Sequence, residues 1–152
     1  MTKYLSLFLT GFSLTLSSCD SLPLFRHDPC SSKISHAVQI GQEIDISTDD
    51  PLLIAYVEKK SSSETPPLDA KGIPIGDTVV LYANVKSLKI EKEVRSYSHE
   101  IESIYSNWAF AFIDKNKDGI LNIGEPFGVN KSNPAEAKCH PYNGVIEINS
   151  IY

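Results

Sequence analysis

Between Asp114 and Glu125 the chain reads DKNKDGILNIGE, a twelve-residue stretch with oxygen-bearing side chains at its first, third, fifth, ninth and twelfth positions. A hard cation such as calcium takes roughly six to eight oxygen ligands in flexible geometry, and a loop of this length offers them at positions one, three, five, seven, nine and twelve. Asp114, Asn116 and Asp118 fill the first three, Ile120 brings a backbone carbonyl to the seventh, and Asn122 stands at the ninth, acting directly or through water. Glu125 takes the twelfth as a bidentate carboxylate, and Gly119 gives the sharp turn at the sixth. Lys115 and Lys117 fall between the ligand positions and reduce the local negative charge. Calcium binding is therefore expected at the weak, extracellular end of the range, around 10⁻⁴ to 10⁻³ M. The competing reading is a polar Asp/Asn/Gly turn that holds no ion. Such a turn has no need of the glutamate at the twelfth position.

The flanks say what must hold this loop. Trp108, Phe110 and Phe112 alternate with Ala109, Ala111 and Ile113, which is a strand with three large aromatics on one face and smaller apolar groups on the other. This predicts the central strand of a sheet, its aromatic stripe belonging to the core. After the loop, Gly124 and Pro126 forbid a helix. A calcium sensor works by swinging two helices, so a loop set between strands is expected to brace rather than to signal.

Upstream, apolar residues at Ile34, Val38, Ile40, Ile44 and Ile46 keep a period of two, with a turn at Gly41-Gln42 and folding expected to begin near Lys33. His36 shares that apolar phase and is expected to be a satisfied core or edge histidine. Leu52–Val57 reads as a buried strand, and Lys59–Pro67 as a polar loop. Thr78–Val85 and the alternation through Leu88, Ile90 and Val94 read as strands whose KIEKEV charges form a solvated face. Tyr97–Tyr105 fits a strand by context, although Ile101, Ile104 and Tyr105 also fit a helical turn. Asn133-Pro134-Ala135-Glu136 has a helix-start pattern, predicting one short helical turn reaching Cys139. Pro141 and Asn143-Gly144 then predict a turn before a last strand, Val145–Ile151. The fold class expected is all-β, an antiparallel sandwich of about seven strands.

Residues 1–18 have the build of a secretory leader: an early Lys3, an apolar stretch from Tyr4 to Leu16, then small residues before Cys19. Leu16-Ser17-Ser18-Cys19 resembles the lipobox of bacterial lipoproteins, which implies cleavage before Cys19 and its acylation. Several acyl chains hold a protein to a bilayer far more firmly than one. Asp20 resembles an inner-membrane retention signal. Residues 19–32 then form the lipidated cysteine and a tether, and residues 33–152 the folded domain, on the periplasmic or cell-surface side of a membrane. In that oxidising compartment the remaining pair, Cys30 and Cys139, is expected to form a disulfide, two free thiols or a bond to another chain being the alternatives.

The run WAFAFIDKNKDGILNIGEPFG, Trp108 to Gly128, resembles bacterial surface and periplasmic β-sandwich domains of prealbumin-like or immunoglobulin-like type. In these an aromatic-rich strand enters a D-x-N-x-D/N-G loop and leaves through a G-E-P turn. Related patterns occur in calcium-stabilised repeats of Gram-positive adhesins and in exported domains of Gram-negative bacteria. The resemblance implies a sandwich, an extracytoplasmic location and calcium at Asp114, Asn116, Asp118, Ile120 and Glu125. It implies no activity.

Function classes narrow by what the sequence lacks. Net charge is −5 at pH 7, and the lysines are scattered, which argues against a nucleic-acid partner. There is no G-x-S-x-G, S-x-x-K or G-x-x-x-x-G-K motif. His99-Glu100 opens like a zinc-protease motif, yet Ser103 stands where the second histidine would be. Cys139-His140 would need distant partners to hold a metal. The expected role is thus a non-catalytic, lipid-anchored envelope protein contacting another envelope protein or the cell wall. The alternatives are a ligand-binding accessory subunit of a membrane complex and, third, an enzyme using distant His and carboxylate groups.

Overall fold

The computed structural model describes residues 30–59, 67–74, 83–136 and 139–152. The leader, Cys19, most of the tether, the polar loop after Lys59 and the first part of the Thr78–Val85 strand lie outside these residues. Among these residues eight strands follow in order: β1 (Ser32–Ile40), β2 (Pro51–Lys59), β3 (Ala83–Lys89), β4 (Ser96–Ser103), β5 (Ser106–Ile113), β6 (Pro126–Val129), β7 (Tyr142–Ile148) and β8 (Ser150–Ile151). They form two sheets, β4-β1-β7 and β3-β2-β5-β6-β8, a β-sandwich. Every pairing is antiparallel except β1 with β7, which run parallel from Ile34↔Tyr142 to Ile40↔Ile148.

Periodicity explains the layers. The inward residues Ile34, His36, Val38 and Ile40 of β1 are buried, and they meet Leu52, Ile54 and Tyr56 of β2 and the small Ala109 and Ala111 of β5. Small groups on β5 let the sheets close against each other. Its aromatics lie on the other side, so Trp108, Phe110 and Phe112 build a second cluster with Leu53, Ala55, Val57, Ile73 and Phe127 on the outer face of the five-stranded sheet. Strand β5 is the middle strand of that sheet, as its pattern predicts. Both faces of β2 and β5 are consequently dry, which is why Leu52–Val57 reads as an unbroken apolar run.

Several local expectations are corrected. No helix occurs among the described residues. Asn133 does not cap one: its side-chain amide accepts from the Ala109 N–H and donates to the Ala109 carbonyl, each at 2.9 Å, in the manner of a neighbouring strand. Ala135 then pairs through its backbone with Asn107, while residues 137–138 lie outside those described. Asn143-Gly144 is no turn but part of β7, because Gly144 leaves room for the His36 imidazole; a Cβ there would stand 2.7 Å from its Cδ2. The last strand is split at Asn149, its end crossing to the other sheet as β8. Ile44 is buried beyond the end of β1, under a turn that Arg95 clamps from its guanidinium to the Gly41 and Ile44 carbonyls, both at 2.7 Å. The KIEKEV segment is a turn rather than a strand face, with Glu93 at φ 68° and Ile90 buried. His36 is in the core as expected, but neither ring nitrogen has a hydrogen-bond partner.

The two sheets share their ends. One pole holds the Cys30–Cys139 disulfide, the β4-β5 connection and the segment around Ala135. The other holds the 41–50 and 90–95 turns, the loop after Ile113, and Tyr152. A nine-residue strand such as β1 sets the poles apart by on the order of 30 Å. The disulfide bridges a separation of 109 residues and ties the starts of two parallel neighbours.

Two outcomes follow from this packing. Cys139→Ser should lower unfolding free energy by about 5 kcal/mol in the chain-entropy account, read from denaturant midpoints with and without reductant; overlapping curves would contradict it. At Gly128 an added Cβ would overlap the Glu147 carbonyl oxygen and carbon, backbone atoms that cannot swing aside. Gly128→Ala should therefore cost at the upper end of the roughly 1–3 kcal/mol typical of overpacking, whereas the open Gly72 position offers a control limited to backbone strain.

Candidate metal centre

The loop leaves β5 where the Asp114 N–H donates to the Pro51 carbonyl at 3.0 Å, so its first carboxylate starts from the edge of the core. Asp114 is 2% exposed and Glu125 4%, while Lys115, Asn116, Lys117, Asp118 and Ile120 are exposed. Two buried carboxylates need compensation. Backbone amides provide it. Asp114 Oδ1 accepts from the N–H of Lys117 at 2.7 Å and of Asp118 at 3.3 Å, and Oδ2 from that of Gly119 at 2.8 Å. Glu125 Oε1 accepts from Lys115 N–H and Oε2 from Asn122 N–H, both at 2.8 Å. The twelfth residue thereby holds the second and the ninth. Lys117 and Gly119 take φ values of 63° and 78°, the left-handed turns that wrap the amides around Asp114.

A second set of groups meets on the exposed side. Asn116 and Asn122 each point Nδ2 at Asp118 Oδ2, both at 2.9 Å, and Asn122 Nδ2 also reaches the Ile120 carbonyl at 2.9 Å. Positions three, five, seven and nine of the loop thus converge on one point. The Ile120 N–H donates to Asp118 Oδ1, and this bond foremost holds the Asp118 carboxyl below the usual carboxylate range. An amide's oxygen and nitrogen exchange places by a half-turn of the side chain. Asn116 and Asn122 can then present oxygens where they now present hydrogens.

The residues fit a hard cation in donor chemistry: carboxylate, amide and carbonyl oxygens only, from one loop whose turn is already made. Asp114, Asn116, Asp118, Ile120, Asn122 and Glu125 would hold it. Among the described residues no three His, Cys, Asp or Glu side chains stand together as a ready ligand cluster. Asp114, Asp118 and Glu125 are joined through backbone amides and the two asparagines instead. Calcium bound here would act by charge, drawing these carboxylates together.

One contributor has no signature in the sequence. Tyr152 N–H donates to the Glu125 carbonyl at 2.9 Å, and Gly124 N–H to the Tyr152 carbonyl at 3.2 Å. The Tyr152 hydroxyl donates to Asp69 Oδ2 at 2.9 Å, and Lys71 Nζ lies over both the Tyr152 and Phe127 rings. The loop is thus fastened to the cover of the outer aromatic cluster. Cys139, whose sulfur is bonded to Cys30, offers no thiolate for a metal with His140. A cavity of about 460 Å³ lies beside it, lined by Ser132, Asn133, Glu136, His140 and Tyr142. No protein-family model, curated protein or solved structure matches this chain.

Two substitutions separate the loop's architecture from its capacity for metal. Asp114→Ala leaves the N–H groups of Lys117, Asp118 and Gly119 without their acceptor and should lower stability by about 1–3 kcal/mol even in chelator. Asp118→Ala, at an exposed position, should leave the melting temperature in chelator nearly unchanged but abolish the rise that millimolar calcium produces in the wild type. A wild-type melting curve indifferent to calcium would refute the assignment.

Proposed function

We propose that this chain is a non-catalytic, lipid-anchored protein of the bacterial envelope whose β-sandwich, braced by calcium at the Asp114–Glu125 loop, binds another envelope protein or the cell wall. The polarity of the fold carries this reading. Cys30 lies just before β1 at one pole and follows the lipidation candidate Cys19 by eleven residues, whereas the loop closes the opposite pole. Acyl chains on Cys19 would hold the disulfide pole toward the bilayer and present the loop pole away from it.

What stands at that outward pole suits contact. The three most exposed large apolar side chains among the described residues are Ile123, Ile120 and Ile151. The Gly124 N–H donates to the Tyr152 carbonyl and the Tyr152 N–H to the Glu125 carbonyl, which brings the segments of Ile123 and Ile151 side by side. A single exposed isoleucine is ordinary, but neighbouring ones on a fixed loop are a common mark of an interaction surface. Calcium would contribute rigidity: a loop ordered beforehand loses less entropy on binding.

Fractionation and cross-linking test this. Incorporation of a palmitate analogue should be lost in Cys19→Ala, and the variant should move from the membrane fraction to the soluble one. A photo-cross-linker at Ile123 should trap a discrete adduct in cells that one at Lys33, near the disulfide pole, does not. A Cys19→Ala protein that stays with the membrane would overturn the anchor, and identical adducts from both positions would overturn the outward contact surface.

A further inference from the structure

Three side chains meet midway between the sheets in a way the core does not require. His36 of β1 is directly opposite His99 of β4 in the antiparallel register, so both rings lie on the inner face of the three-stranded sheet. Tyr56 of β2 faces them from the other sheet, its ring 5.5 Å from that of His36 and 6.0 Å from that of His99. His36 and Tyr56 are wholly buried. Both nitrogens of His36, the Tyr56 hydroxyl and Nε2 of His99 are buried with no hydrogen-bond partner.

Among the described residues the surroundings offer no counter-charge. Tyr142, 5.6 Å from the His36 ring, has its hydroxyl engaged by Asn130 Nδ2 at 2.8 Å, and Gly144 of β7 presents no side chain. On β4, Glu100 and Glu102 point to the opposite face, where Glu100 is bound to Lys33 and Ser35. On β2, Glu58 shares the face of Tyr56 but stands further toward the strand's end, partly exposed. Strand β5 contributes Ala109 and Ala111, which carry no charge. From β3, Lys86 brings a positive charge to His99.

We propose that His36, Tyr56 and His99 form a pH-sensitive latch between the two sheets, closed while the imidazoles are neutral and released when His36 takes up a proton. An imidazolium at this position would be a buried charge without an anion or an acceptor, which the core tolerates only by opening to water. His99 is partly exposed and gives the proton its way in. Burial, with the nearby His99 second, sets the His36 pKa at about 4, against 6.5 for a free imidazole. The folded value is the lower one, so the open state binds the proton more readily. Closure is complete above pH 6.5 and is lost as the pH falls toward 4. With those two values, the opening equilibrium should rise by roughly 60-fold from pH 7 to 4.5.

The test is hydrogen exchange on β1 and β2 amides at pH 7 and 4.5, corrected for intrinsic rates, with chelator present throughout so that calcium plays no part. Wild-type opening should increase about 60-fold more than that of His36→Phe, whose ring needs no partner. An equal acid response in the two proteins overturns the latch. Should His36→Phe not fold, imidazole titration by NMR in the wild type decides. A His36 signal titrating near 6.5 with the sheets still protected overturns the latch, as does a His36-dependent gain in stability with zinc or copper, which would make the cluster a metal site. Loss of calcium binding, by contrast, would leave the latch untouched.

Discussion

The pairing of β2 with β5 is the constraint around which the molecule is arranged. From Leu52↔Ile113 to Lys59↔Ser106 the two strands run in continuous antiparallel register, and both faces of the ribbon they make are apolar. A two-sided apolar ribbon cannot face water on either side. One face obtains its cover from the β4-β1-β7 sheet, the other from the segment that carries Ile73, from Phe127 and from Tyr152. The division of sizes on β5 decides which cover goes where: alanines admit a whole sheet at close range, and rings of Trp108, Phe110 and Phe112 fill the looser space beneath a loop. Elements at the periphery, including the metal-binding candidate, take their position from this ribbon.

Strands with a clear period were legible in the sequence, and elements whose conformation depends on distant partners were not. WAFAFI and LLIAYV announce themselves by alternation or by continuous apolarity, which are local properties. Asn133-Pro134 carries the local chemistry of a helix start, yet its amide has a better opportunity in Ala109, and no local rule contains that contact. Asn143-Gly144 has the composition of a turn, but the glycine answers to a histidine more than a hundred positions earlier. The Asp114–Glu125 spacing was legible because one segment supplies all its members. The cluster of His36, Tyr56 and His99 was not, since it exists only once the β1-β4 register and the sheet-to-sheet approach are known.

The loop itself combines two solutions to one electrostatic difficulty. Its buried carboxylates are stabilised by a shell of amide dipoles, which gives a folded loop from backbone alone. Its exposed carboxylate and asparagines form a shallower set able to turn their oxygens outward. Under the calcium reading the ion would add to an already shaped loop, tuning its stiffness.

The arrangement of the disulfide has a mechanical side. Cys30 and Cys139 lie just before β1 and β7, neighbours that run in the same direction from the same pole. A pull on the chain at Cys30, resisted at the far pole, would be divided between both strands from the outset. It would run along them, at right angles to the hydrogen bonds that β1 makes with β4. Loaded in that direction, the bonds of a ladder share the force and must yield together, whereas a pull across the strands would break them one after another. The covalent bridge thus makes a paired handle, and a load applied there would meet the sandwich in its mechanically stronger direction.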